Sequence, residues 1–125
     1  MSMPTEDEPA AALASLVGGR VAGARSSLTA FALALEDGRG LLAEARGDGT
    51  PVVAVSTPPA DALPALDEAG CAVDWSWIAG SIIRGARLVA GRLQLELDPA
   101  GPLTVSAALW RGAPFLAFQP YRPRV

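Results

Sequence analysis

The sequence predicts an α+β fold in which helices pack against a mostly antiparallel sheet. Signals for helix starts occur at Thr5 and at Asp61, and turn-separated apolar runs lie between them. In the second half, Leu93, Leu95 and Leu97 alternate with polar residues, which is the pattern of a strand with one buried face. The predicted order is helix, three-strand meander, helix, and then three to four strands.

The size and composition of the chain predict one domain. It has 125 residues, and 50% of them are hydrophobic, which is enough for a single core. We expect this domain to span residues 1–125, with residues 1–5 flexible. Residues 120–125 should form an extended tail, because Pro120 and Pro123 cannot donate to a strand ladder.

The N-terminal sequence and the single cysteine predict a cytoplasmic protein. Residues 6–8 are acidic where a signal peptide is basic, and no apolar run approaches the roughly 20 residues of a membrane helix. We therefore expect no membrane association. Cys71 cannot form an intramolecular disulfide, so we interpret it as a reduced, partly buried thiol.

Missing residue types exclude much of enzyme chemistry. The chain has no histidine and no lysine, so all ten basic residues are arginines. Histidine-dependent nucleophiles, histidine-ligated metals and lysine Schiff bases are therefore impossible within it. We expect a protein that is not an enzyme and that has no catalytic residues, no cofactor and no metal.

The first helix begins in a capping box, Thr5 to Glu8, whose acids complement the helix dipole. Leu13, Leu16 and Val17, with Val21 as a further candidate, fall on one stripe. Gly18 and Gly19 should end the helix.

A meander is predicted next, because the apolar period changes after Ser27 and two glycine-rich turns follow. Ala30, Ala32 and Ala34 alternate with larger residues, which indicates that the back of this sheet is also covered, by the helices. The three strands are expected at Leu28 to Leu35, Leu41 to Arg46 and Pro51 to Thr57.

Asp61 can cap a second helix that has Pro64 in its first turn and Gly70 at its end. A strand is expected from Cys71 to Trp77, and residues 82–83 fit a helix or a strand equally well.

The last strands follow a clear pattern. The turn from Asp98 to Pro102 ends the Leu93–Leu97 strand, and Leu103, Val105, Ala107 and Leu109 resume the alternation. A final hairpin turns at residues 111–114 and returns through residues 115–118.

Charge divides the chain unevenly. Residues 1–74 have a net charge of about −7 and residues 75–125 about +4, within a total of −3. This asymmetry can mark a binding face, whereas it has no such meaning if the two halves interleave in one fold.

Three sequence motifs give only weak evidence for a catalytic or ligand-binding site. Residues 38–43 satisfy a loose dinucleotide pattern, but in a hairpin rather than before a helix. Glu96 and Asp98 share a strand face and could in principle act as paired carboxylates, but their positions are those of a solvated face or turn, which is the favoured explanation. Cys71 follows a predicted helix C-terminus, which does not activate a thiol.

Aromatic residues and arginines cluster in the last part of the chain, and these residue types are enriched in interface hot spots. Core packing is an equal alternative for Trp110 and Phe115. The predicted partner-binding residues are Trp110, Arg111, Phe118, Tyr121, Arg122 and Arg124.

The function predicted from these residues is a non-enzymatic module that binds a protein partner or itself, and a homodimer is consistent with this. A net acidic chain without lysine argues against nucleic acid. The alternative is a small-ligand-binding protein or a weak carboxylate-dependent enzyme with a pocket near Trp75 and Trp77.

Two segments, ARGDGTPVVAVSTPPADALPALD and LQLELDPAGPLTV, resemble the N-terminal domain of SseB-like proteins, the enhanced-serine-sensitivity family. That family has a strand ending in a Thr-Ser or Thr-Pro-like turn, then a short helix, and later a strand closing in an Asp-Pro-Gly-Pro-like turn. The matching positions are Val52 to Pro58, Asp61 to Ala69 and Leu93 to Leu103, with Ser56 in place of an aromatic residue. The resemblance implies a small α+β module that works through contacts and has no catalytic residues.

Overall fold

A computed structural model describes residues 7–47, 49–66 and 73–122. In these residues the chain forms two antiparallel sheets of four strands, ordered β1-β2-β3-β4 and β5-β6-β7-β8. The elements are α1 (Asp7–Ala14), β1 (Val21–Ser26), β2 (Ala30–Leu35), β3 (Gly40–Arg46), β4 (Val52–Ser56), β5 (Ile82–Val89), β6 (Arg92–Asp98), β7 (Gly101–Trp110) and β8 (Ala113–Gln119), with single 3₁₀ turns at Ala60–Ala62 and Ser76–Ile78.

The predicted α+β fold class is wrong, because the described chain is mostly β, with two four-stranded sheets and a single short α-helix among the described residues. In the described part of the second predicted helix the chain forms only the 3₁₀ turn at Ala60–Ala62, and residues 67–70 lie outside the described residues. The chain then leaves the helical region at Leu63, whose φ is −67° and ψ is 138°. Pro64 explains this, since a proline disfavours the α conformation in the residue before it.

The strand β1 was not predicted from the sequence. Val21, a further candidate for the helix stripe, instead begins a strand that pairs with β2, with Val21 opposite Leu35 and Ser26 opposite Phe31. Alanine, glycine and arginine dominate β1 and have weak strand propensity. Pairing with the strongly apolar β2 therefore overrides local preference.

The strand predicted from Cys71 to Trp77 is wrong at its end, although Val73 within it forms a β-bridge. Ser76–Ile78 forms a 3₁₀ turn, while Cys71 lies outside the described residues. The ambiguous residues 82–83 begin strand β5.

The alternation in the later strands is confirmed. Leu93 pairs with Val105 and Leu95 pairs with Leu103, and all four side chains are fully buried. Leu109 is an exception, because 41% of it is exposed near the end of β7.

The core lies between the inward faces of the two sheets. At its centre the Trp75 ring lies 4.8 Å from the ring of Phe31 and 4.9 Å from that of Phe118, measured between centroids. Leu13 of α1 and Leu16 just after it are buried in the same core. A backbone bridge between Arg20 and Ile82 joins the two sheets at their β1 and β5 edges.

The outward face of the first sheet is partly covered, but not by a helix among the described residues. Ala30 and Ala32 are buried, as their alternation predicted. The segment around Leu63 and Pro64 lies over this face, leaving a groove of about 540 Å³ that Ala32 and Ala34 also line.

The two halves of the chain do not interleave. Every strand before residue 57 belongs to the first sheet and every strand after residue 81 belongs to the second. The charge asymmetry between the halves is nevertheless not an asymmetry between sheets, because residues 20–57 hold four acids and four arginines, and the other seven acids of the first half lie at positions 6–8, 61, 67, 68 and 74. Within the described parts of the chain, no helix combines the length and the apolar character that crossing a membrane requires.

Candidate interaction surface

The β7–β8 hairpin extends beyond its neighbour in the second sheet. Strand β6 pairs only with Gly101–Val105 of β7, whereas β8 pairs with β7 as far as Trp110. Arg111 and Gly112 form the two-residue turn, with φ values of 53° and 82°. Such a turn matches the twist of the flanking strands. Beyond Val105 the hairpin of the described chain is thus a two-stranded ribbon, in which β7 has strand pairing with β8 and not with β6.

The outward face of this ribbon is apolar. Leu103 and Val105 of β7 and Leu116 of β8 point into the core, so the alternate residues point outward. Trp110 is 66% exposed, and Phe115 is half-buried beside it. The outward residues of the ribbon end are Ala108, Trp110, Ala113, Phe115 and Ala117.

A loop of the first sheet completes a shallow groove at this ribbon. The backbone N–H of Leu116 donates a hydrogen bond of 2.8 Å to the carbonyl of Leu28, which holds the β1–β2 loop against the edge of β8. Leu28 is 54% exposed there. The groove measures about 310 Å³ and is lined by Leu28, Trp110, Ala113, Pro114 and Phe115. We call these five residues the tip groove.

Three arginines lie on the same side of the second sheet as the tip groove or next to it. The guanidinium carbon of Arg111 lies 5.5 Å from the centroid of the Trp110 ring. Arg92 of β6 points outward because its neighbour Leu93 points inward, and Arg87 of β5 pairs with the outward Gln94. In the described chain none of the three forms an ion pair. The ion pairs found there are Arg20–Glu36, Arg39–Asp37, Arg46–Glu44 and Arg84–Asp98.

The predicted partner-binding residues that the structure describes do not lie together on one surface. Trp110 and Arg111 lie at the hairpin tip and are exposed. Tyr121, 60% exposed, and Arg122 follow the opposite end of β8, which is roughly 20 Å long at 3.4 Å per residue. Phe118 is buried in the core, 7% exposed, so it cannot contribute to a surface. Arg124 lies outside the described residues.

Arg122 makes contacts with other residues of the same chain. Its guanidinium carbon lies 4.3 Å from the centroid of the Trp77 ring, and its carbonyl accepts a hydrogen bond of 2.8 Å from the backbone of Asp74. These contacts attach the end of the described chain to the connection between the two sheets.

Trp75 belongs to the core, because it is only 4% exposed and its ring packs against Phe31 and Phe118. Its neighbour Trp77 is half-buried and stacks on it, with 6.4 Å between ring centroids. The indole N–H of Trp77 is buried and has no hydrogen-bond partner among the described residues.

The other predicted motifs occupy exposed turns and strand faces. Glu96 and Asp98 are both exposed, and Arg84 lies 3.4 Å from the carboxylate of Asp98. Residues 38–43 form the β2–β3 turn and the start of β3, so no helix N-terminus follows them. There the carboxylate of Asp37 accepts hydrogen bonds from the backbone and the side chain of Arg39, and these lower the pKa of Asp37. The described residues contain no group of three or more acidic, cysteine or histidine side chains that could hold a metal ion.

Sequence reasoning missed Arg87, Arg92 and Leu28 as surface residues. The signal for Arg92 was present, since it alternates with Leu93 in the strongest strand pattern of the chain. Leu28 could not have been found, because only the packing of a loop against β8 brings it to the hairpin.

Comparisons with protein-family models, with curated proteins and with solved structures find no match to this chain. The resemblance to SseB-like proteins therefore stays a prediction.

Proposed function

We propose that this protein is a non-enzymatic interaction module that binds a protein partner, or a second copy of itself, through the tip groove. The observation that carries the proposal is the 66% exposure of Trp110 beside the 54% exposure of Leu28. Exposure of these apolar side chains to water is unfavourable in free energy. Burial of both side chains against a partner surface would remove this unfavourable term.

The composition of the tip groove supports this proposal. Tryptophan and arginine are the residue types that most often dominate binding energy at protein interfaces, and Trp110 and Arg111 are adjacent there. Pro114 has no N–H and lies in the edge strand β8, while Leu28 accepts from the N–H of Leu116. These two features limit strand addition at β8, so side chains rather than backbone groups would make most of the contact.

Selection of peptides from a random displayed library, with the wild-type protein as bait, tests the proposal. We expect peptides whose affinity falls about 30-fold or more in Trp110→Ala, the loss typical of an interface tryptophan. Tyr121→Ala is the matched control, because Tyr121 is an equally exposed aromatic residue away from the groove. It should change affinity less than twofold.

Self-association is tested separately by sedimentation equilibrium over a wide concentration range. A dimer that dissociates in Trp110→Ala but not in Tyr121→Ala supports the groove as a self-contact. Peptides or dimers that survive Trp110→Ala unchanged would place the contact surface elsewhere.

A further inference from the structure

We infer that the partner is an acidic protein segment that reaches from the tip groove across the outward face of the second sheet to Arg87 and Arg92. This inference rests on the proposed function and adds the chemical class of the partner. Arg87, Arg92 and Arg111 carry it, because all three are exposed on this sheet and have no carboxylate partner among the described residues.

The sheet register places Arg87 and Arg92 close together. Arg87 pairs with Gln94, and Arg92 pairs with Val89, so the two arginines are diagonal neighbours on adjacent strands. Such neighbours are separated by about 7–8 Å. Two guanidinium groups at this spacing repel each other, and a carboxylate placed between them would relieve the repulsion.

The path from these arginines to the tip groove runs diagonally across the outward face of the second sheet. Gln94 pairs with Thr104 and Thr104 with Gln119, so β5 to β8 present one continuous outward face. Three strand spacings of about 4.8 Å make this face roughly 15 Å wide, and Trp110 lies six residues, about 20 Å, beyond Thr104 along β7. The diagonal path from Arg87 to the tip groove is therefore about 25 Å, which seven to eight extended residues would span. A segment with an apolar side chain in the tip groove can therefore place a carboxylate at Arg87 and Arg92.

The charge balance of this face favours an acidic partner. Glu96 also points outward from β6, one row away from Gln94, but it forms no ion pair with Arg87 in the structure. Asp98 on the same face is paired with Arg84, so in the described chain three arginines against the one unpaired carboxylate of Glu96 leave the face positive, although the whole chain has a net charge of −3. Complementary charge of this kind guides specificity and the association rate.

Two other occupants fit less well. Long nucleic acids would be repelled by the net negative chain, and three arginines offer few phosphate contacts. A second copy offers fewer free acids than its sequence suggests, because Glu36, Asp37 and Glu44 are each paired with an arginine of their own sheet.

The test uses a labelled twelve-residue peptide with four glutamates, two leucines and a phenylalanine in a glycine-serine background. A matched peptide has glutamine in place of glutamate, and a labelled twelve-nucleotide single strand of DNA is the third probe. By fluorescence anisotropy at low salt, we expect the glutamate peptide to bind at least tenfold more tightly than the glutamine peptide. This advantage should shrink at high salt.

The double variant Arg87→Gln/Arg92→Gln should bind the glutamate peptide about three- to tenfold more weakly than the wild type does. Its affinity for the glutamine peptide should be unchanged. Arg25→Gln is the matched control, because Arg25 is an exposed arginine on the first sheet that also lacks an ion pair in the described chain. It should have no effect on either peptide.

Equal affinity for the two peptides, absence of glutamate-peptide binding at millimolar concentration, or tighter binding of DNA would overturn the inference. So would a double variant that binds like the wild type. If Trp110→Ala weakens both peptides while the charge variants have no effect, the inference fails and the proposed function stands. If Trp110→Ala also has no effect, the proposed function fails as well.

Discussion

The indole N–H of Trp75 donates a hydrogen bond of 2.9 Å to the hydroxyl oxygen of Ser26, at the end of β1. Trp75 belongs to the connection between the sheets, and both residues are buried. We expect Ser26→Ala to lower the free energy of unfolding by about 1–3 kcal/mol, because the indole N–H then loses its partner. In a Trp75→Phe background the same substitution should cost clearly less. Denaturant unfolding of the four proteins measures the difference, and equal costs in both backgrounds would contradict the role of this bond.

Leu95 tests the assignment of the core. It is fully buried and pairs with Leu103 in the next strand. We expect Leu95→Ala to lower the free energy of unfolding by about 2–5 kcal/mol, as cavities at buried leucines do. Leu109→Ala, at a position 41% exposed, should cost about 1 kcal/mol or less. Similar denaturation midpoints for the two variants would show that the strand faces are assigned incorrectly.

The β5–β6 turn tests the hairpin geometry. Ala90 has a φ of 53° and is followed by Gly91 with a φ of 75°, so both turn residues are left-handed. Asparagine adopts this conformation more readily than alanine, whereas valine adopts it poorly. We expect Ala90→Asn to raise the melting temperature by the equivalent of about 0.5–1 kcal/mol and Ala90→Val to lower it. A higher melting temperature for Ala90→Val than for Ala90→Asn would show that residue 90 does not adopt the left-handed turn conformation.

Asp37 gives a prediction for pH. Its side-chain and backbone hydrogen bonds with Arg39 lower its pKa below the ordinary 3.8. Because the folded pKa is lowered, this contribution to stability is present above pH 3.8 and is lost as the pH falls through the folded pKa. In an NMR titration, the pKa of Asp37 should lie below its usual range, and Arg39→Ala should raise it part of the way back, because the backbone N–H of residue 39 remains as a donor. An unchanged titration in the variant would show that Arg39 is not the cause.

The sequence predicted strands well wherever large apolar residues alternate with polar ones. Leu93 to Leu97 and the return from Leu103 to Val105 are examples, since burial of one face fixes both period and register. Prediction of strands from the sequence failed where tertiary contacts determine the local conformation. Strand β1 is rich in alanine, glycine and arginine and depends on β2 for its conformation.

The candidate site was predicted only in part. Trp110 and Arg111 were identified from residue type, and Phe118 was included because composition does not show which face a strand residue occupies. Phe118 alternates with the outward Ala117, so its parity relative to Leu116 places it inside. The contribution of Leu28 arises from a contact between residues far apart in the chain, which no local pattern contains.

The most direct test of the tip groove as the contact surface is a ¹H–¹⁵N NMR titration that follows the three indole N–H signals of the protein. Trp110→Phe and Trp75→Phe assign these signals, and the glutamate peptide or a selected peptide serves as the ligand. We predict that the exposed Trp110 signal shifts progressively and saturates, while the Trp75 signal, bonded to Ser26 in the core, stays in place. A titration in which the Trp75 or Trp77 signal moves and the Trp110 signal does not would contradict the proposed surface.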